Sequence, residues 1–261
     1  MMDTLPLPTR RDLVPMSPGF PEAWTHDVAR AAYQHAVEVY PREAAGIVEG
    51  GQYVPLDNVS QSPDRDVVLS DADLLRVADA ALFFHSHPDG LGCPSEQDML
   101  YQQQLGIPFV VIVLPVYDVF CFGDMLARAP LIGRGFRHGV HDCYAVMRDW
   151  YAEAGVTGFP DQPRSWEWWT KSGGKDLYMA FSAHGFERID LGEPPRRGDV
   201  ALFKFRFDVP MHGAVVVDRD LLLHHASGVK AVDVTRLSAL VPRVRLHRHI
   251  TMALRHRAFT P

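Results

Sequence analysis

The chain is poor in cysteine and has no long apolar run. Three cysteines in 261 residues, Cys93, Cys121 and Cys143, are too few and oddly numbered for a disulfide framework, so a special thiol here is catalytic or metal-linked. No stretch approaches the roughly 18 apolar residues that span a bilayer, and the opening MMDTLPLPTRRDL lacks the apolar core of a signal peptide. Both absences argue against membrane insertion and export, and for a protein made in the cytosol. With 47% apolar and 22% charged residues, the composition excludes disordered, collagen-like and coiled-coil chains. It is that of a globular protein able to bury a core, in one large or two small domains.

What is present is unevenly spread. Residues 1–130 carry 7 Lys and Arg against 18 Asp and Glu, whereas 131–261 carry 19 against 14, so an acidic half precedes a basic one. Thirteen histidines are a surplus of the residue used for metals and proton transfer. Five prolines within residues 1–21 read as an extended arm. Helical spacing is predicted from Pro21-Glu22 to Val39, over Ser70–Ala80, Ser95–Leu105 and Asp142–Ala154. Strand character is predicted at Gly46–Gly50, Ala81–His87, Pro108–Leu114, Val116–Phe122, Val200–Phe205, Gly213–Asp218 and Leu221–Ala226, the last group closely spaced as in an antiparallel sheet. Both patterns lapse between Asp124 and Gly139, where a domain boundary is expected.

Two constellations carry chemistry. His85 and His87 end an apolar strand, where alternation sends both imidazoles to one face, and Asp98 lies just inside the next helix. Two imidazoles and a carboxylate leave one tetrahedral position of a zinc ion open, which distinguishes catalytic from structural zinc. Glu43, before another apolar strand, is in reach as a general base. Ser95-x-x-Asp98 is also an ordinary helix-capping pattern. Cys93, inside the same loop, reads as a small buried thiol.

The second constellation begins at Asp142-Cys143, a thiol opening a helix whose dipole is expected to lower its pKa. His212 starts an apolar strand about 70 residues later and supplies a base. His224 comes beside His212 if the two strands form a hairpin across Asp218–Asp220, with His225 its rival, since neighbours on a strand face opposite ways. His138 and His141 read as loop or surface residues. Trp166, Trp168 and Trp169 either line a groove or pack in a core.

Glu43, His85-x-His87-Pro88 and Ser95-x-x-Asp98 resemble the JAMM (MPN-type) metallopeptidase motif. The resemblance implies His85, His87 and Asp98 as ligands of Zn2+, Glu43 as the base and Ser95 as a donor to the oxyanion. The order Asp142-Cys143, Gly198-Asp199-Val200, His212-Gly213-Ala214-Val215 and Leu223-His224-His225-Ala226 resembles the papain-like NlpC-type cell-wall cysteine peptidases, implying a Cys143, His212 and His224 triad. The pairing is similar to the tail assembly protein K family of long-tailed bacteriophages and prophages. That likeness extends to Arg137–Tyr144, Arg148-Asp149-Trp150-Tyr151, Trp168-Trp169, Asp176-Leu177-Tyr178 and His224-His225.

The resemblance implies an α+β protein in two domains. A proline-rich arm (1–21) would precede a JAMM-type α/β domain with a mixed sheet (22–125). A linker (126–139) would lead to a papain-like NlpC-type domain with an antiparallel sheet (140–261). The implied function is a tail-tip assembly protein that hydrolyses peptide bonds of peptidoglycan and carries a zinc-dependent (iso)peptidase site of unstated substrate. Its expected partners are peptidoglycan peptides and other tail-tip proteins. It would act in the host cytoplasm during assembly, and at the wall if carried by a tail or released by lysis. A non-catalytic assembly factor with vestigial sites is the alternative, and a host wall-remodelling peptidase is disfavoured by the missing export signal. Nucleic-acid binding is not expected, because Arg243, Arg245, Arg248, Arg255 and Arg257 come without a recognition motif.

Overall fold

The computed structural model describes residues 19–123, 125–156, 159–170, 177–205 and 207–259. The proline-rich arm, except its last three residues, and Asp176 lie outside them. The fold is α+β and divides into two compact units, 1–129 and 130–261. Among the described residues no helix is long and apolar enough to cross a membrane.

The first unit runs α1 (His26–Val39), β1 (Ala45–Glu49), β2 (Gln52–Leu56), α2 (Asp71–Ala78), β3 (Phe83–Pro88), α3 (Glu96–Leu105), β4 (Phe109–Leu114) and β5 (Asp118–Phe122). Its sheet has the order β2-β1-β3-β4-β5 and is mixed: β3 and β4 are parallel across the α3 crossover, and the other pairs are antiparallel. β4 is buried at every position, as expected of a central strand. Helix α1 buries Val28, Ala29, Ala32, Tyr33 and Ala36 on a core with Phe84, Val110 and Ile112. It starts at His26 rather than near Glu22, because Thr25 caps it by accepting from the Val28 amide at 3.3 Å.

The second unit contains β6 (Gly135–Arg137), α4 (Cys143–Glu153), β7 (Phe186–Ile189), β8 (Asp199–Phe203), β9 (His212–Asp218), β10 (Leu221–His224), β11 (Val232–Leu237), β12 (Ala239–Pro242) and β13 (Ile250–His256). An antiparallel sheet of order β12-β10-β9-β8-β13-β7 forms its centre, and β6 pairs with β11 beside it. Residues 130–139, a linker on sequence grounds, contribute β6 and the buried Arg134 to this unit. α4 packs on β9 and β10. With no side chain at Gly213, the Met147 thioether lies directly on β9, where a Cβ would meet its Sδ at 2.8 Å. The core joins Met147, Trp150 and Tyr151 of α4 to Val200, Leu202 and Val215 of the sheet.

Candidate functional sites

In the first unit the β1 and β3 register sets Ala45 opposite His85, and its continuation sets Glu43 opposite His87. Opposed residues share a sheet face, so the acid and both imidazoles meet. Ser86, on the other face, accepts from the Ala44 amide through Oγ at 2.9 Å and returns its own amide to the Ala44 carbonyl at 3.1 Å. These two bonds hold the residue next to Glu43 against β3.

Asp98 enters from the first turn of α3. Ser95 caps that helix: its Oγ accepts from the Asp98 amide at 3.0 Å, and its amide donates to Asp98 Oδ2 at 2.7 Å. Asp98 Oδ1 lies 3.3 Å from His85 Nε2, Asp98 Oδ2 lies 3.3 Å from His87 Nε2, and the two Nε2 atoms are 3.1 Å apart. The two imidazoles are 1% and 8% exposed. His87 Nδ1 bonds the Leu91 carbonyl at 3.1 Å, which fixes the ring with its Nε2 towards Asp98.

Three donor atoms within 4.8 Å of one another, two of them imidazole nitrogens, fit a zinc ion. Burial raises the Glu43 carboxyl, offset in part by His85 and His87, as suits a proton carrier. Cys93 is buried in the same loop.

In the second unit Asp142 is the N-cap of α4. Its Oδ1 accepts from the Ala145 amide and its Oδ2 from the Gly139 amide, both at 2.9 Å. Arg164 grips both oxygens, Nε to Oδ2 and Nη2 to Oδ1, each at 2.9 Å. Cys143 follows at the first helical position, and the Tyr178 hydroxyl lies 3.4 Å from its Sγ. Burial and the Asp142 carboxylate push the Cys143 thiol up to about 11, outweighing the hydrogen bonds from Tyr178 and the Gly213 amide. The lowered thiol expected from the helix dipole is therefore corrected: the helix start is as read, but the depth of burial reverses the direction.

β9 and β10 form the hairpin that the sequence predicts, and it brings His212 Nε2 to 3.2 Å from His224 Nδ1. His225 turns away, bonding the Arg236 carbonyl at 2.9 Å with its ring edge-on to Phe136. Burial, with His224 and His225 nearby, pushes His212 down to about 3, so it rests neutral. Cys143, His212 and His224 line one cleft of about 240 Å3 with Trp166, Trp168 and Trp169.

His138, read as a loop or surface residue, lies in a turn but is buried: its Nε2 meets the Arg164 carbonyl at 3.2 Å, its Nδ1 faces Asp142, and Trp166 stands edge-on to it. His141 is half-buried, and burial pushes it down to about 4. Arg164, Tyr178 and Ser86 escaped sequence reasoning. Only Tyr178 left a trace there, inside the family-like Asp176-Leu177-Tyr178.

Residues 25–123 match a family model described as prokaryotic homologs of the JAB domain. A tail tip assembly protein K of Escherichia phage N15 is 27% identical over 206 residues, 76% of this chain and 84% of that protein. A second, of Escherichia phage lambda, is 37% identical over 143 residues, 54% of this chain and 67% of that protein. A solution structure of a protein from Desulfitobacterium hafniense, 22% identical, covers 36% of this chain and 76% of its own. Its TM-score of 0.28 carries no weight for the fold. With a mixed-sheet first unit that matches the JAB description and relatives that together share both halves of its length, the chain belongs to the tail tip assembly protein K family.

Proposed function

We propose that this protein assists phage tail-tip assembly and carries two hydrolytic sites, a cysteine peptidase acting on peptide bonds of bacterial peptidoglycan and a zinc-dependent (iso)peptidase. The relatives' names support the assembly role and other tail-tip proteins as partners. The observation that carries the peptidase reading is Cys143 at the start of α4 in one cleft with His212, itself bonded to His224. Such a nucleophile, base and orienting group make a papain-like triad of the NlpC type.

In this reading thiol and imidazole rest neutral. His212 takes the Cys143 proton as sulfur attacks the peptide carbonyl, then passes it to the leaving amine. Water cleaves the thioester, returning the thiol. His224 fixes the imidazole of His212, and the tryptophans bound the substrate cleft.

At the other site His85, His87 and Asp98 would hold the zinc ion, which supplies Lewis acidity for hydrolysis. Glu43 takes the proton of the attacking water and delivers it to the leaving group. Ser95, whose Oγ already accepts from the Asp98 amide, would turn its hydroxyl hydrogen towards the oxyanion.

Digestion of purified sacculi by wild type, Cys143→Ala and a metal-stripped sample tests the reading. Fragments from wild type and none from Cys143→Ala support it. A second reading, an assembly factor with silent sites, is favoured by the raised Cys143 thiol. It predicts no fragments from any sample.

A further inference from the structure

Tyr178 is a side chain at the second site that contacts the Cys143 sulfur and has no role in the triad. It is the second residue of the 3-10 segment Leu177–His184, 35 positions after Cys143, and is 3% exposed. Trp168 and Phe181 stand edge-on to its ring, at 6.1 and 5.5 Å between centroids, and hold the hydroxyl 3.4 Å from Sγ.

We propose that Tyr178 is a catalytic residue, the side-chain donor that stabilises first the Cys143 thiolate and then the oxyanion formed on the peptide carbonyl. This rests on the peptidase reading above.

An oxyanion bonded to the carbon under attack lies close to the sulfur, so a donor that reaches Sγ also reaches the oxygen. The Cys143 amide belongs to the first helical turn, whose N–H groups lack intrahelical acceptors, and supplies a second donor. As the C–S bond forms, the carbonyl π pair moves to oxygen. Tyr178 bonds that oxygen without giving up its proton, which burial and the neighbouring Cys143 thiol hold firmly in place. When the π bond re-forms, the C–N bond breaks and the amine leaves with the proton carried by His212. Tyrosine ends as it began.

The charged and titratable groups facing Cys143 are Asp142 and Arg164 at the helix cap, His212 and His224 on β9 and β10, and His138 across the cleft. Asp142 disfavours the thiolate. Tyr178, the Gly213 amide and Arg164 favour it.

The test uses the full chain. Tyr178→Phe keeps the ring and removes the hydroxyl. On purified sacculi its kcat should fall about 10² to 10³-fold with KM near wild type. Iodoacetamide labelling of Cys143 at pH 8 should slow about tenfold, because the thiolate loses a donor. A merely structural defect would expose the half-buried thiol further and speed labelling instead. In a second variant, 3-fluorotyrosine at position 178 keeps the packing and strengthens the donor, so labelling should quicken.

Labelling of Tyr178→Phe at or above the wild-type rate, kcat within threefold of wild type, or slower labelling with 3-fluorotyrosine overturns the assignment. If the wild type leaves sacculi intact, the peptidoglycan reading falls. The labelling arm, which needs no substrate, still decides the donor.

Discussion

Replacing Arg164 with Met is expected to destabilise the second unit severely, through the carboxylate it leaves behind. The side chains of Arg164 and Asp142 are 2% and 4% exposed, and their two bonds of 2.9 Å form a fork. Breaking a buried pair by removing one partner costs about 3–5 kcal/mol. Arg164 also bonds Asp161 Oδ1 at 2.7 Å and the Gln162 carbonyl at 2.6 Å, which favours the upper end. Unfolding entropy of about 2.1 cal/mol/K per residue over about 130 residues converts this loss to a fall of about 11–18 °C in Tm.

Calorimetry on the full chain reads that fall. The double variant Asp142→Asn/Arg164→Met, with no buried charge left at the cap, should recover part of it. Burial alone would raise the Asp142 carboxyl, but Arg164 and His138 hold it well below the usual carboxylate range. Its stabilisation is therefore present above the unfolded pKa of about 3.9 and is lost as pH falls through the folded value. Acidification below about pH 4 should cost the wild type stability that the double variant does not lose. A fall under about 4 °C in Arg164→Met, or a double variant below the single one, would refute the reasoning.

Metal analysis of protein purified without added metal should find about one zinc per chain, lost in His87→Ala and kept in Glu43→Gln; equal zinc in His87→Ala removes the assignment. Labelling of Cys143 should keep rising through pH 9 and 10, as a thiol pushed up to about 11 requires, and a plateau below pH 7 would contradict the neutral pair. His224→Ala should slow sacculus cleavage by about 10² to 10⁴-fold. His225→Ala should instead lower Tm with kcat preserved; the reverse pattern would exchange their roles. A chelator should leave sacculus cleavage intact while a thiol reagent abolishes it, and cleavage that needs added zinc would show the two sites to be coupled.

Much of this was legible wherever chemistry and periodicity coincide. Alternation at His85-Ser86-His87 set two imidazoles on one face, and the hairpin over Asp218–Asp220 brought one of His224 and His225 to His212; which one was open in the sequence, and the structure has His224 there. What escaped depends on contacts distant in sequence. β2 carries Pro55 at the sheet edge, β11 is exposed over its last four residues, and β13 hides its regularity by burying Arg255, which is paired with Asp199 on β8. His138 was legible as a loop residue but not as a buried one, because nothing near it in sequence announces Trp166 and Arg164. The helix start at Cys143 was visible, but the burial that reverses its thiol's pKa comes from other parts of the fold.

Arg134 has a consequence for anyone transplanting the second unit. Its Nε bonds the Pro130 carbonyl at 2.7 Å and its Nη1 bonds Asp149 at 2.6 Å; Arg148 joins Asp149 to Asp161, and Arg164 joins Asp161 to Asp142. Signs alternate along this ladder from the unit's first residue to the turn that carries Cys143. A graft beginning at residue 140 would sever it, removing the Arg134 cation from Asp149, and would strip β6 from β11 as well. The compact unit therefore begins at Pro130, ahead of the first residue that resembles a peptidase.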